Sequence, residues 1–429
     1  MKINMLQIVK STFLLIILLA LINCVYGADT TTNKVHVDQS NMTFNSIQDA
    51  INDPTTHSNY TIEINPGTYY ENLIISKNVS LKGMGKQSKD TKISGSNTGR
   101  VILILNPGTV VYLENLEITE GKAPNGKYTV DGPRNGEDGG GIFNCGTLYI
   151  NNCRITNNNA GTGANGGAYG KQGQFDVYHN KVWSAGNGGN GGGIYSLGTL
   201  IINNSTIENN CAGHGGNGCH DYLTSSRAIY EPQQRSFAGK GGNGGGIYAI
   251  GVLSINGSRI NSNTAGLGGV GGYGQPDYYS VIPTPTDGGD GGSGGGIYYN
   301  GTNLYINKSI FQSNKAGNGG KGLSSEDLFF EEPKLYAYMS GSAGGHGGNG
   351  GAIFINSNGS SQTINTIKNT SFIENYAGNG GNGGNGSSTT TISYGGWNGG
   401  NGADGGNGGA IYLNGACKIQ GSYFTRNYA

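Results

Sequence analysis

Charged residues are scarce in this sequence. Lysine and arginine together contribute 26 of its 429 residues, aspartate and glutamate another 26, and the formal net charge is zero. A protein that holds nucleic acid needs a concentrated basic surface to neutralise phosphates, so this composition excludes nucleic acid as the expected partner. Long apolar runs are also rare, and the run at residues 13–22 is too short to span a bilayer as a helix.

The chain begins as an exported protein does. Lys2 and Lys10 precede the apolar run, and Val25-Tyr26-Gly27 offers small residues at the outer two cleavage positions. We therefore interpret residues 1–27 as a signal peptide. The mature protein is expected to be secreted, at the cell surface or associated with an outer membrane, without a transmembrane segment.

Five cysteines follow the signal peptide, an odd number that suits no complete set of disulfides. Cys211 and Cys219 stand close together in one loop and are the expected pair, with two free thiols as the alternative. Together with His214 and His220 they also provide the side chains of a possible soft-metal site, but their spacing matches no standard zinc pattern. We therefore expect neither a metal nor a cofactor.

Glycine, in contrast, is abundant. The 83 glycines exclude a helix-rich domain, because each costs roughly 1 kcal/mol relative to alanine inside a helix. They also mark a repeat, the box Gly-Gly-(Gly/Ala)-Ile-(Tyr/Phe), which recurs at intervals of 50 to 58 residues. The box isoleucines are Ile142, Ile194, Ile247, Ile297, Ile353 and Ile411.

Each repeat predicts short strands that must stack on their neighbours. Aliphatic residues alternate with the strand period of two, as in Leu148-Tyr149-Ile150, and a unit of this size cannot bury its apolar stripe alone. An asparagine recurs at a constant offset, and in a stack each amide can bond the amides above and below it. The expected structural ladder is Asn158, Asn210, Asn263, Asn314, Asn375 and Asn427.

These patterns predict an all-β fold, a right-handed parallel β-helix (solenoid) with glycine-rich corner insertions. Residues 28–124 would form an N-terminal cap and the first coils, and residues 125–429 six repeat coils. An amphipathic turn, with Ile47, Ala50 and Ile51 on one face, is placed to plug the open end of the stack. The last repeat reaches Ala429 without a polar cap, so we expect a longer chain or a paired edge there.

Insertions of about 30 residues separate the repeat cores, and their glycine-rich stems flank tips that differ in every copy. Aromatic side chains among Gly, Ser and Asn are typical of adaptable binding surfaces, so we expect the tips to bind. The alternative is that these aromatics pack the stems together. The predicted binding residues are Tyr178, Trp183, Tyr222, Tyr278, Tyr279, Phe329, Phe330, Tyr336, Tyr338 and Trp397.

Several motifs resemble known families. Residues 62–85, with Pro66-Gly67-Thr68-Tyr69-Tyr70-Glu71-Asn72, resemble the opening coils of pectin lyase-like β-helices. The boxes resemble the repeats of chlamydial polymorphic membrane proteins, which pair Gly-Gly-Ala-Ile with Phe-x-x-Asn; Gly351-Ala352-Ile353 with Phe372 and Asn375 matches, whereas four copies have Gly in place of Ala. The long glycine-rich insertions resemble adhesin-like surface proteins of methanogenic archaea. This resemblance implies a surface adhesin.

The acidic residues argue against catalysis. A β-helix enzyme acting on polysaccharides needs paired carboxylates within about 5–10 Å, but the six core segments contain only Glu208 and Glu374, with two repeats between them. We therefore expect no enzyme, but an adhesin-like protein that binds glycans or proteins of other cells, or its own envelope. The alternatives are a passive surface-layer or spacer protein and, less favoured, a polysaccharide lyase- or esterase-like enzyme.

Overall fold

The computed structural model describes residues 34–38, 42–168, 182–219, 235–273, 285–301, 303–324, 340–357, 365–386 and 398–429. Within these ranges the regular secondary structure is almost entirely β, with one short α-helix, α1 (Ile47–Asn52), and a 3₁₀ turn (Ser88–Asp90). Short strands follow one another around a common axis, and irregular glycine-rich segments connect many of them.

Three long sheets form the sides of this structure, and each turn of the chain, here called a coil, adds one strand to each sheet. Sheet A comprises β1 (Val35–Val37), β2 (Thr43–Phe44), β3 (Tyr60–Ile64), β6 (Val79–Gly83), β9 (Val110–Glu114), β14 (Thr147–Asn151), β19 (Thr199–Asn203), β22 (Val252–Asn256), β25 (Asn303–Asn307), β28 (Asn365–Lys368) and β31 (Cys417–Gln420). Sheet B comprises β4 (Gly67–Tyr70), β7 (Thr91–Ser94), β10 (Glu117–Thr119), β15 (Arg154–Thr156), β20 (Thr206–Glu208), β23 (Arg259–Asn261), β26 (Ile310–Gln312), β29 (Ser371–Ile373) and β32 (Tyr423–Thr425). Sheet C comprises β5 (Leu73–Ile74), β8 (Ile102–Ile104), β13 (Ile142–Asn144), β18 (Ile194–Ser196), β21 (Ile247–Ala249), β24 (Ile297–Tyr299), β27 (Ile353–Asn356) and β30 (Ile411–Asn414).

Two small hairpins lie outside the three sheets, β11 (Tyr128–Thr129) with β12 (Gly132–Pro133) and β16 (Gly167–Ala168) with β17 (Val182–Trp183). Both belong to the loops that connect sheet B to sheet C.

The repeat columns become ladders of identical side chains. Ile202 pairs in parallel register with Ile150 on one side and Ile255 on the other, and all three are fully buried. The alternation of period two points these side chains inward and their neighbours outward. The predicted right-handed parallel β-helix is confirmed, because eight or more strands stack in each sheet and successive coils align residue for residue.

The N-terminal end is closed as the sequence predicted. Ser46 caps α1 by accepting a hydrogen bond from the backbone of Asp49, and the helix buries Ile47, Ala50 and Ile51. Next to it β1 runs antiparallel to β3, which ends the parallel stack. The apolar end of the core is therefore covered, and the parallel stack of sheet A ends in two short antiparallel strands, which shortens the edge open to further strand pairing.

The expected disulfide between Cys211 and Cys219 is wrong. None of the five cysteines within the described residues forms a disulfide. The segment between these two is extended, and eight residues at about 3.1 Å each separate their Cα atoms by roughly 25 Å, far beyond the roughly 7 Å that a disulfide can bridge. No group of three metal-ligating side chains forms among the described residues; His220 lies outside them.

Candidate functional site

The insertions leave the β-helix between sheet B and sheet C and form a two-layered body, here called the glycine slab. An additional insertion at residues 120–141, before the first box, also contributes to it; sequence reasoning had missed this one. Outgoing limbs form one layer, at residues 160–166, 212–218, 265–271, 316–322 and 377–383. Return limbs form the other, at residues 134–139, 185–191, 238–244, 288–294, 344–350 and 402–408.

The limbs repeat a Gly-X-Gly triplet, and their backbone hydrogen bonds run to neighbouring segments and not within a limb, which is typical of polyproline II segments with three residues per turn. The first glycine bonds across the two layers. The N–H of Gly266 donates to the carbonyl of Gly242 at 2.8 Å, and the N–H of Gly292 donates to that of Gly266 at 2.8 Å. The second glycine bonds sideways within its layer, as Gly241 does to the carbonyl of Asp290 at 2.9 Å.

The middle residue X of each triplet completes this pattern. Its N–H donates to the side chain of the equivalent X residue one coil earlier, as in Lys240 to Asn187 Oδ1 at 2.8 Å and Val270 to Asn217 Oδ1 at 3.0 Å. All three N–H groups of such a triplet are therefore satisfied without a sheet or an α-helix. The X side chains stand on the two outer surfaces, here called the return face and the outgoing face.

A column of buried hydroxyl groups joins the limbs where the tips begin. Thr286 Oγ1 accepts from the N–H of Gly272 at 2.8 Å and donates to the carbonyl of Ser236 at 2.8 Å. Ser342 repeats this, accepting from Leu323 at 2.7 Å and donating to Thr286 at 2.8 Å. In three successive insertions, those of Ser236, Thr286 and Ser342, this hydroxyl clamp ties the outgoing limb to its own return limb and to the previous insertion. Aligning the insertions would have revealed it, because a Ser or Thr stands three residues before a limb glycine in each of these copies.

Most of the predicted tip aromatics lie outside the described residues, namely Tyr178, Tyr222, Tyr278, Tyr279, Phe329, Phe330, Tyr336, Tyr338 and Trp397. Trp183 is described, and it lies half-buried in β17. Its ring lies against Gly132 of the neighbouring hairpin, so closely that a Cβ atom on that glycine would come within 2.6 Å of the ring. Trp183 thus packs two insertions together, as the alternative interpretation of these aromatics expected.

The asparagine column lies inside the corner from which the insertions depart. Each Nδ2 donates to the Oδ1 of the next asparagine at 2.8–3.0 Å. Five members are fully buried or nearly so, and Asn427 in the last coil is half-buried. The ladder is buried and holds successive corners in register. It therefore positions the slab and does not itself form a binding surface. Its members are Asn158, Asn210, Asn263, Asn314, Asn375 and Asn427.

The aromatic position of the box forms a continuous stack on the outer surface of sheet C. Neighbouring ring centroids lie 4.7–5.1 Å apart, and Arg100 covers the first ring at 5.4 Å. Within the stack the ring faces cover one another, so the surface presents ring edges and tyrosine hydroxyls. In the sequence, an aromatic residue directly follows the inward-facing isoleucine of the box in all six copies. This recurrence could have predicted an outward-facing aromatic column. The rings belong to Phe143, Tyr195, Tyr248, Tyr298, Phe354 and Tyr412.

Beside this stack, a groove of about 530 Å³ runs along the return face. Two rows of X side chains form its walls, and glycine backbone lines it between them. The first row contains Asn135, Asn187, Lys240, Asp290 and His346, and the second contains Asp138, Asn190, Asn243, Ser293 and Asn349. The second row adjoins the aromatic stack, because Asp138 lies close enough to the Tyr195 hydroxyl for each group to influence the pKa of the other.

The charges in the groove are largely balanced. Lys240 forms an ion pair with Asp290 at 2.9 Å; burial raises the pKa of Asp290, but the Lys240 bond and other contacts lower that pKa further, to below its ordinary value. Burial raises the pKa of Asp138, against the opposing effect of Asn190. Burial also raises the pKa of Tyr195, and that of Tyr248 to about 12. The adjoining tyrosines are therefore neutral hydrogen-bonding groups at pH 7.

Three acidic residues of the coils, Glu117, Glu208 and Glu374, are engaged in ion pairs. Glu208 and Glu117 both contact Arg154 on the outer surface of sheet B. Glu374 pairs with Arg426 at 2.8 Å in the last coils. Glu208 and Glu374 do not meet, as their separation in the sequence predicted. The neighbouring carboxylates Glu117 and Glu208 share an arginine between them.

Comparison of the chain with protein-family models, curated proteins and solved structures found no match. The sheet topology supports the resemblance noted in the sequence at the level of architecture, a repetitive parallel β-helix. The adhesin role that the resemblance implies remains a prediction. Among the residues that the structure describes, no helix is long and apolar enough to cross a membrane.

Proposed function

We propose that this protein is an exported, adhesin-like surface protein that presents variable loop tips on a rigid scaffold. Its partners would be glycans or proteins of other cells, or of its own envelope. The hydroxyl clamp carries this proposal, because Ser236, Thr286 and Ser342 hold the bases of three successive tips at one edge of the slab. Nearly constant coils thus support tips of very different sequence.

The repeat distance makes such an array suited to attachment. Parallel strands lie about 4.8 Å apart, so several weakly binding tips can engage one surface and gain avidity. A base that is already hydrogen-bonded also lowers the conformational entropy that binding costs. A passive spacer would need neither the diversity of the tips nor their common edge.

An enzymatic role has less support. The neighbouring carboxylates of Glu117 and Glu208 share Arg154 on an outward-facing sheet surface. Both carboxylates are occupied by the same guanidinium, whereas paired acid–base catalysis needs carboxyl groups that are free to contact a substrate. We therefore propose binding without catalysis.

Deleting residues 327–339, which include four aromatics, should reduce attachment of the purified protein to cells or to a glycan array. Loss of one weak contact is expected to lower apparent affinity on the order of tenfold, equivalent to about 1.4 kcal/mol. The β-sheet circular dichroism and the melting temperature should not change, because the deletion begins beyond the clamp between Leu323 and Ser342.

A variant with the same 13 residues in scrambled order is the matched control for loop length and composition, and it should be as defective in attachment as the deletion. Unfolding of the deletion variant would assign the tip a packing role. Intact attachment after removal of all five tips would place adhesion elsewhere, and a wild-type protein that attaches to nothing would favour the spacer.

A further inference from the structure

The groove on the return face contains hydrogen-bond donors that the fold does not use. Asn135 Oδ1 accepts from the backbone of Asn187 at 2.8 Å, and Asn187 Oδ1 accepts from Lys240 at 2.8 Å. In the second row, Asn243 Oδ1 accepts from Ser293 at 2.7 Å and Asn349 Oδ1 from the following limb at 2.7 Å. A backbone N–H can be met only by the amide oxygen, so these bonds determine which way each amide is turned.

The consequence is a set of preorganised donors. With the oxygen tied into the slab, the Nδ2 group of Asn135, Asn187, Asn243 and Asn349 has no protein partner in the described part of the chain. Asn190 is different, since its Nδ2 donates to Asp138 at 3.0 Å. Fixed donors at the wall of a groove favour a ligand rich in acceptor oxygens, because little ordering is needed on binding.

The shape of the groove favours an extended ligand. Neighbouring side chains within a row are one coil apart, about 4.8 Å, and the two rows are three residues apart along each limb, about 9 Å. Five coils contribute to its walls, which makes the groove roughly 20 Å long at that spacing. A linear polymer lying parallel to the β-helix axis would meet the same pair of rows at every coil.

The charge of the groove favours an uncharged ligand. The lysine among its described lining residues, Lys240, is already paired with Asp290, so these residues leave no surplus of positive charge to hold a polyanion. The neighbouring aromatic stack offers ring edges rather than faces, so recognition would depend on hydrogen bonds. Neutral polysaccharides combine these properties, since their hydroxyl and ring oxygens accept hydrogen bonds along an extended chain.

We propose that this groove is a binding site for a neutral, linear polysaccharide chain, held by the outward amides of Asn135, Asn187, Asn243 and Asn349. The site goes beyond the proposed function, because it requires neither the loop tips nor attachment to cells. It also differs from the predicted tip residues, with which it shares no side chain.

The test uses the double variant Asn187→Asp/Asn243→Asp. Aspartate keeps the oxygen that accepts from the next limb and removes the outward Nδ2 donor. The matched control is Asn217→Asp on the outgoing face, where Asn217 Oδ1 performs the same task for Val270. The probes are β-1,4-linked hexasaccharides of glucose, xylose and mannose, measured by isothermal titration calorimetry, with oligogalacturonate as the acidic comparator.

We expect wild type and Asn217→Asp to bind at least one neutral hexasaccharide with equal affinity, and the double variant to bind it on the order of tenfold more weakly or worse, since two hydrogen bonds are lost. The protein lacking residues 327–339 should bind it as wild type does, which separates a failure of the groove from a failure of the tips. If the double variant melts at a lower temperature than wild type, Asn349→Asp alone supplies the same comparison.

The proposal is overturned if wild type binds none of the neutral hexasaccharides, or if oligogalacturonate binds more tightly than they do. Equal losses in Asn217→Asp and the double variant, or loss of binding on removal of the tip, would also reject the groove as the site.

Discussion

Replacing Gly266 with alanine is expected to lower the free energy of unfolding by about 3 kcal/mol, the upper end of the usual cost of overpacking. The new Cβ atom would lie 1.8 Å from the carbonyl oxygen of Gly213 and 2.5 Å from the nitrogen of Gly242. These two atoms hydrogen-bond to each other at 2.8 Å. The methyl group therefore meets paired backbone, which cannot move aside as a flexible side chain would.

Chemical and thermal unfolding would measure this effect, with Gly402→Ala as the matched control. Gly402 is likewise a limb glycine, in the last return limb, but a Cβ atom there meets only the carbonyl oxygen of Gly381, at 3.8 Å. Alanine at this position should be neutral or stabilise by up to about 1 kcal/mol, through the lower entropy of the unfolded chain. If Gly266→Ala melted like the control, the limbs could not be closely packed.

The second large effect is expected for Asn263→Ala, which should destabilise the protein by about 2–4 kcal/mol because it leaves buried donors unpaired. Asn263 is fully buried, and its Oδ1 accepts from both the backbone and Nδ2 of Asn210, at 3.1 and 3.0 Å. Its own Nδ2 donates to the carbonyl of Ile207 at 2.9 Å and to Asn314 Oδ1 at 3.0 Å. Alanine removes all four of these bonds.

The neighbouring Thr264 provides the control. Its contribution to the coil is a backbone bridge to Cys211 and Lys315, which alanine preserves, so Thr264→Ala should cost little. Equal unfolding free energies for the Asn263 and Thr264 variants would show that the ladder adds nothing to stability. Both variants should keep the groove on the return face, so hexasaccharide binding below the melting transition should be retained.

The coil itself could be predicted from sequence because its determinants are local. Alternation with period two decides that Leu148 and Ile150 point inward and Tyr149 outward, whatever the rest of the chain does. Repetition then decides that equivalent residues stack, so the ladder around Asn263 follows from one constant offset. The apolar face of α1 could likewise be recognised from Ile47, Ala50 and Ile51 within a single turn.

The glycine slab was decided by tertiary structure. From the sequence, the glycine-rich stems could form either flexible tethers or packed extended limbs. The outcome depends on which limbs are neighbours and hydrogen-bond to each other. Asn187 illustrates this point, because its amide is turned outward only when Lys240 of the next insertion, 53 residues away, donates to its oxygen. Neither the groove nor its donors can be seen within one repeat.

The cysteines show the same limit on a smaller scale. Cys211 and Cys219 are neighbours in the sequence, which suggested a disulfide while the conformation between them was unknown. In the packed limb, that segment is an extended helix with three residues per turn and no internal hydrogen bonds. The two thiols are therefore too far apart to form a disulfide. Inside the coil, local periodicity determined the structure; in the insertions, the conformation of each limb depends on backbone hydrogen bonds to other limbs, and these exist only after the coils have stacked.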